Sequence, residues 1–199
     1  MSSQPYFETV KSFADVPITG DGVETCVFLE ASEGLVQLFD LLGSGVFGFV
    51  QSDIKGNIGG VRTRYQADSS RCSTLENLVR SEELLEDRHG TGCLIRLTRG
   101  LTFLCRALQH MQNDHSIELH VCFKRSYDEV LRHHHTFFVR SLAAVAVRAA
   151  PYRRDFYTRI GQGAPMEKLD AELSKWLSGL DVIVKRLKGF IEGEGYGRI

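Results

Sequence analysis

Asp53 and Asn57 are the first pair of residues whose types and spacing could do chemistry. They are four apart, so on a helix they share one face, next to the apolar stripe that begins with Ile54 and Ile58. A carboxylate and an amide at the edge of a core can bind a molecule that carries hydroxyl, amide or amine groups. The alternative is a solvated helix face on which Asp53 is only an N-cap.

A second set of polar residues follows the segment from Gly92 to His110. At about 100° per residue, its leucines fall on one arc of a helix and its arginines on the opposite arc. The residues of the second arc are Arg96, Arg99, Phe103 and Arg106. Guanidinium groups bind phosphate and carboxylate in a bidentate manner, so this face predicts a polar pocket or an anion site. Surface arginines that form ion pairs are the alternative.

Three consecutive histidines, His133 to His135, follow Arg132. Consecutive helical residues point about 100° apart, so three adjacent imidazoles do not converge on one ion. We therefore predict no metal site, and expect one histidine to face inward. The surrounding segment 121–159 holds 8 basic and 3 acidic residues with interleaved aromatic residues, a pattern that suits an anionic membrane surface. Core packing of those aromatic residues is the other interpretation.

The elements that must position these residues are helices. Apolar residues recur at helical spacing in four segments, and no alternating strand pattern is found. We predict an all-α protein of about six to nine helices that forms one domain over residues 1–199. Pro151 should end a helix, with a break near the histidines. We also expect the first dozen residues and the tail from Gly193 to be loosely held.

Composition excludes several classes of protein. The chain has 199 residues, with 24 Lys+Arg against 25 Asp+Glu, and this balance argues against nucleic acid as a partner. The five cysteines form no CxxC motif and no secretory signal is evident, so we expect free thiols and a cytoplasmic location. No apolar run is long enough to cross a bilayer. Nucleophile and nucleotide-binding motifs are missing, so we predict neither enzymatic activity nor a cofactor.

Four segments occur in an order that identifies a family. They are LVQLFDLLGSGVFGFVQSDIKGNI (35–58), LIRLTRGLTFL (94–104), SYDEVLRHHHTFFV (126–139) and AAPYRRDF (149–156). The chain resembles the glycolipid transfer protein family, and it is especially similar to the fungal heterokaryon-incompatibility members. The resemblance implies a two-layer, all-α sandwich of about eight helices. It also implies a carrier that extracts one sphingolipid and moves it between membranes through transient contact, without chemical turnover.

The resemblance also implies roles for individual residues. Asp53 and Asn57 would bind the ceramide amide and the headgroup, and His135 would bind the amide carbonyl. Phe137 stands at the aromatic position that the family uses against the membrane. The positions that line the family's apolar tunnel are Phe39, Val46, Phe47, Leu131 and Phe156.

The headgroup positions depart from the sugar-selective pattern. Arg96 stands where sugar-selective members carry a tryptophan platform, and Gly60 where they carry a lysine. Ceramide-1-phosphate binders resemble this chain at Arg96 and Arg99, but they carry Lys at the position of Asn57 and Arg at that of Gly92. We therefore expect a phosphate-bearing headgroup, for which the glycines leave room. Glycosylceramide transfer and a sphingolipid sensor are the alternatives, and the oligomeric state is open.

Overall fold

The computed structural model describes residues 4–42 and 45–199, and within them the regular structure is helical. The described part contains no β-strand, and its β-type pairing is limited to two isolated bridges, Ile18–Val23 and Glu24–Thr74. The nine α-helices of these residues are α1 (Tyr6–Thr9), α2 (Thr25–Leu42), α3 (Gly48–Ala67), α4 (Leu75–Ser81), α5 (His89–Asn113), α6 (Leu119–Ser126), α7 (Phe137–Arg148), α8 (Arg153–Gly161) and α9 (Met166–Gly193). The predicted all-α class is confirmed.

Helix α5 is the centre of the fold. Its predicted leucine stripe is buried, and the helix packs against α3, α6 and α9. A buried carboxylate fixes its first turn, because Glu82 accepts hydrogen bonds from the backbone N–H groups of Gly90 (3.1 Å) and Thr91 (2.6 Å). Negative charge at a helix N-terminus is favourable because unpaired N–H groups lie there. The arginines of α5 are thus carried on a rigid helix.

The chain between α6 and α7 does not continue as one helix. A wider π-helical turn spans Tyr127–Leu131, and a 3-10 turn follows at Arg132–His134. His135 then adopts an extended backbone, with φ −102° and ψ 140°. The predicted break near the histidines is confirmed, and α7 ends at Arg148, before Pro151.

The predicted looseness of the two ends is wrong for the residues that the structure describes there, 4–12 and 193–199. Tyr6 and Phe7 are buried in the core, and the Phe7 ring centroid lies 5.3 Å from that of Trp176 on α9. At the other end Ile199 is buried, and its N–H donates to Glu192 at 2.9 Å. Both segments contact α9. The polar composition of the two ends does not predict such long-range contacts.

None of the helices in the described ranges has both the length and the apolar character that crossing a bilayer requires.

Phe7 provides a test of the anchored N-terminal segment. We expect Phe7→Ala to lower the free energy of unfolding by about 3–5 kcal/mol, because it removes a buried ring and leaves a cavity. Chemical denaturation followed by circular dichroism measures this change. Gln4→Ala is the matched control, since Gln4 is exposed in the same segment. Equal denaturation midpoints for the two variants would contradict the packing described above.

Candidate functional site

A mostly apolar cavity of about 480 Å³ lies between α2, α3, α5 and the α6–α7 region. The apolar lining comprises Leu35, Phe39, Phe47, Phe49, Val50, Ile54, Phe103, Leu104, Phe123, Leu131, Val139, Leu142, Ala143, Ala146, Val147 and Ala150. The polar and charged lining comprises Asp53, Arg96, Arg99, Tyr127, His134 and His135. The cavity therefore combines an apolar wall with a small group of hydrogen-bonding side chains.

A hydrogen-bonded chain connects α3 to α5 beside the cavity. Asn57 donates from Nδ2 to the main-chain oxygen of Asp53 (2.9 Å) and to its Oδ2 (3.2 Å). Asn57 Oδ1 in turn accepts from Arg96 Nε at 2.9 Å. Asn57 is buried and Asp53 is exposed, so the carboxylate is open to a ligand. The N-cap alternative for Asp53 is wrong, because α3 begins at Gly48.

The two cavity arginines of α5 have different partners. Arg99 donates from both Nε (2.9 Å) and Nη2 (2.6 Å) to the main-chain oxygen of Arg198. Burial, and secondarily the charge of Arg96, lower the pKa of Arg99. Arg106 lies outside the cavity and donates to Gln109 at 3.4 Å. The predicted arginine face therefore divides into a cavity part and a surface part.

Two histidines, rather than the expected one, line the cavity. His135 Nδ1 lies 3.1 Å from the hydroxyl of Tyr127, and burial lowers the pKa of His135, although the Asp53 carboxylate acts in the opposite direction. His134 Nε2 is inaccessible and has no hydrogen-bond partner. Burial, with added repulsion from Arg99, lowers the pKa of His134 to about 4. Both imidazoles are therefore neutral near pH ~7.

The structure distributes the predicted tunnel residues between the cavity and the core. Phe39, Phe47 and Leu131 line the cavity, and the ring centroids of the two phenylalanines are 6.0 Å apart. Phe156 is buried in the core, outside this lining. The side chain of Val46 lies outside the described part of the chain. Phe137 is 85% exposed at the start of α7.

Gly60 does not leave the room that its sequence suggested. A Cβ atom built on Gly60 would lie 2.3 Å from Cys93 Sγ and 3.1 Å from His89 Nε2, so α5 side chains already fill this space. At Gly92, the Arg96 guanidinium lies 3.5 Å from the corresponding point. Sequence reasoning missed Cys93 and the contacts of Tyr127 and His134. The one signal in the sequence is their nearness to predicted site residues, since Cys93 lies about one helical turn before Arg96 and His134 directly precedes His135.

Within the described ranges, no group of three or more acidic, histidine or cysteine side chains is arranged to hold a metal ion.

The low pKa of His134 predicts a dependence of stability on pH. The folded protein keeps this imidazole neutral down to a pKa of about 4, whereas the unfolded chain takes up a proton near pH ~6.5. Its contribution to stability is therefore complete above pH ~6.5 and is lost progressively as the pH falls. We expect His134→Gln to lose less thermal stability than wild type between pH ~7.5 and pH ~5.

Thermal denaturation followed by circular dichroism measures this difference. His120→Gln, which changes an exposed histidine, should follow the wild-type pH dependence. Parallel melting curves for His134→Gln and wild type at both pH values would contradict the prediction.

Comparison with known proteins places this geometry in a family. The family model described as Glycolipid transfer protein (GLTP) matches residues 23–162. A glycolipid transfer protein of Aureobasidium melanogenum is 39% identical over 187 residues, which cover 94% of this chain and 92% of that protein. The family resemblance drawn from the four sequence segments is thereby confirmed.

Solved structures agree with these sequence relationships. The structure of HET-C2, a fungal glycolipid transfer protein, has a TM-score of 0.89 at 39% identity and covers 94% of this chain and 96% of its own. FAPP2, which selects simple glycosphingolipids using the GLTP fold, gives a TM-score of 0.88 at 29% identity, covering 98% of each chain. Mouse ceramide-1-phosphate transfer protein, at 22% identity and a TM-score of 0.85 over 96% of this chain and 97% of its own, shares the fold. The chain belongs to the glycolipid transfer protein family and adopts its all-α fold.

Proposed function

We propose that this protein is a carrier that binds one sphingolipid with a phosphate-bearing headgroup and transfers it between membranes. The observation that carries this proposal is one cavity in which an extensive apolar wall adjoins Asp53, Arg96, Arg99 and two histidines. The family consists of lipid carriers and not of enzymes, so the prediction of a non-enzymatic protein is confirmed. In this proposal, residues 1–199 work as one lipid-binding domain.

The polar residues meet the needs of a ceramide amide. The Asp53 carboxylate accepts from the amide N–H, and His135 donates to the amide carbonyl while Tyr127 holds its other ring nitrogen. Leaving a buried amide group without a partner costs about 1–3 kcal/mol, so both contacts matter. The apolar wall receives the hydrocarbon chains, each CH₂ contributing about 0.8 kcal/mol when buried.

The charges beside the cavity favour an anionic headgroup. Arg96 and Arg99 line the cavity against a single carboxylate, Asp53. Arg96 uses its Nε on Asn57, and other N–H groups of its guanidinium are available to a phosphate oxygen as charge-assisted donors. A neutral sugar headgroup would not balance the positive charge of the two guanidinium groups.

A neutral glycosylceramide is the second candidate ligand. The relatives named above support it, because the Aureobasidium protein is a glycolipid transfer protein and FAPP2 selects simple glycosphingolipids. Asp53 and Asn57 could equally accept and donate hydrogen bonds to sugar hydroxyls. A sensor that binds the same lipid without transferring it would share the site and differ in the transfer rate alone.

Exposed aromatic residues on α7 supply a surface for transient membrane contact. Phe137 is 85% and Phe138 70% exposed, and Arg140 is exposed on the same helix. Apolar side chains beside basic ones suit the interface of an anionic bilayer. The free thiols, four of which are buried, are consistent with the reducing cytoplasm in which we place the protein.

Vesicle-to-vesicle transfer tests the carrier proposal. Donor vesicles carry labelled ceramide-1-phosphate, glucosylceramide or galactosylceramide, and wild type should transfer the phosphate lipid fastest. Asp53→Val should abolish transfer of all three lipids, because it removes the amide acceptor. Lys55→Ala changes an exposed residue on the same helix; it is the control and should retain transfer.

The three lipids separate the alternatives. Transfer of the sugar lipids alone would refute the phosphate headgroup and leave a carrier. Tight binding with negligible transfer would indicate a sensor. A folded protein that neither binds nor transfers any of the lipids would refute both.

Arg96→Trp tests the residue proposed to select the headgroup. It replaces a cationic donor with a flat aromatic ring, on which a sugar can stack. We expect the ratio of phosphate-lipid to sugar-lipid transfer to fall by about tenfold or more, the effect of losing a charge-assisted hydrogen bond. The ratio is measured in the same transfer assay. An unchanged ratio in a folded variant would show that Arg96 is not the selector.

A further inference from the structure

The thiol of Cys93 occupies the junction between α3 and α5 beside Arg96. Its Sγ accepts a hydrogen bond from Arg96 Nη2 at 3.2 Å and lies 3.5 Å from His89 Nε2. Cys93 is buried, with 2% of its surface exposed, whereas Arg96 is exposed. A fixed, buried atom therefore contacts a long side chain that otherwise reaches into solvent.

Two contacts on neighbouring helices hold the Arg96 guanidinium. Nε donates to Asn57 Oδ1 on α3, and Nη2 donates to Cys93 Sγ on α5 itself. A free arginine side chain has many rotamers, and ordering it on ligand binding costs conformational entropy. Two acceptors, one for Nε and one for Nη2, restrain the planar guanidinium before a ligand arrives.

Gly60 makes the position of this thiol possible. Cys93 Sγ lies only 2.3 Å from the point that a Cβ atom on Gly60 would occupy, and Cys93 Cβ lies 3.0 Å from it. Any larger residue at position 60 would displace the sulfur or separate α3 from α5. The glycine and the thiol are therefore linked by steric contact, and the thiol and the arginine by a hydrogen bond.

We propose that Cys93 is a positioning residue for headgroup selection. Its thiol occupies the space that Gly60 leaves free, and from there it orients Arg96. Neither Cys93 nor Gly60 is among the residues that line the cavity, so each acts through Arg96 and not by touching the lipid. This inference rests on the proposed function, because it assigns Arg96 to the headgroup.

A double-mutant cycle tests the inference. Cys93→Ala removes the sulfur acceptor, and Cys93→Ser retains an acceptor of similar size. Both are made in wild type and in an Arg96→Ala background, and each protein is assayed with donor vesicles that carry ceramide-1-phosphate or glucosylceramide. Cys105→Ala is the matched control, since Cys105 is another buried free cysteine on α5. Thermal denaturation confirms that each variant is folded.

We expect Cys93→Ala to lower the phosphate-to-sugar transfer ratio about three- to tenfold, as for the loss of one hydrogen bond. Cys93→Ser should restore the ratio, and Cys105→Ala should leave it unchanged. In the Arg96→Ala background, the Cys93 substitutions should have no effect on the ratio, because their action requires the guanidinium.

The outcomes distinguish this inference from the proposed function. An unchanged ratio in folded Cys93→Ala, or an equal change in both backgrounds, would overturn the positioning role. If wild type transfers only glucosylceramide, the phosphate headgroup fails. Positioning is then supported if Cys93→Ala changes the glucosylceramide rate only when Arg96 is present, and overturned otherwise.

Discussion

The close packing of α3 against α5 is the constraint on which the polar end of the cavity depends. It brings Asn57 on one helix within 2.9 Å of Arg96 on the other. At a neighbouring position of the same contact, Gly60 has no side chain, and the thiol of Cys93 fills the space that is left. The hydrogen-bonded chain from Asp53 to Arg96 follows from this packing, because its members lie on two helices and meet only when those helices are in contact.

The two sides of the cavity are held with different strength. Helix α5 has a buried leucine stripe and a first turn capped by Glu82. Helix α7 lines the opposite side, and Ala146 is its one fully buried residue among those described. Regions with few buried apolar contacts open at lower free-energy cost than core helices. A rigid polar side and a weakly held apolar side suit the proposed function, in which the site recognises a headgroup and admits long hydrocarbon chains.

Local sequence patterns predicted the helices and several residues of the site. The leucine stripe of α5 is buried as its periodicity indicates, and the four-residue spacing of Asp53 and Asn57 does place them in contact. Contacts between helices were not predictable in this way. The burial of Phe7 against Trp176, and of Cys93 against Gly60, depends on how two distant segments are aligned, and no local periodicity encodes that alignment.

The π-helical turn at Tyr127–Leu131 has a consequence for how this chain tolerates change. Such a turn accommodates one more residue than an α-helical turn, so it acts as a phase shift of about 100° in the residues after it. Deleting a single residue there would keep the helical character of the segment but rotate the 3-10 turn that carries His134 relative to α6. The direction in which His134 faces the cavity therefore depends on the length of the turn that precedes it, and not on the histidine segment alone.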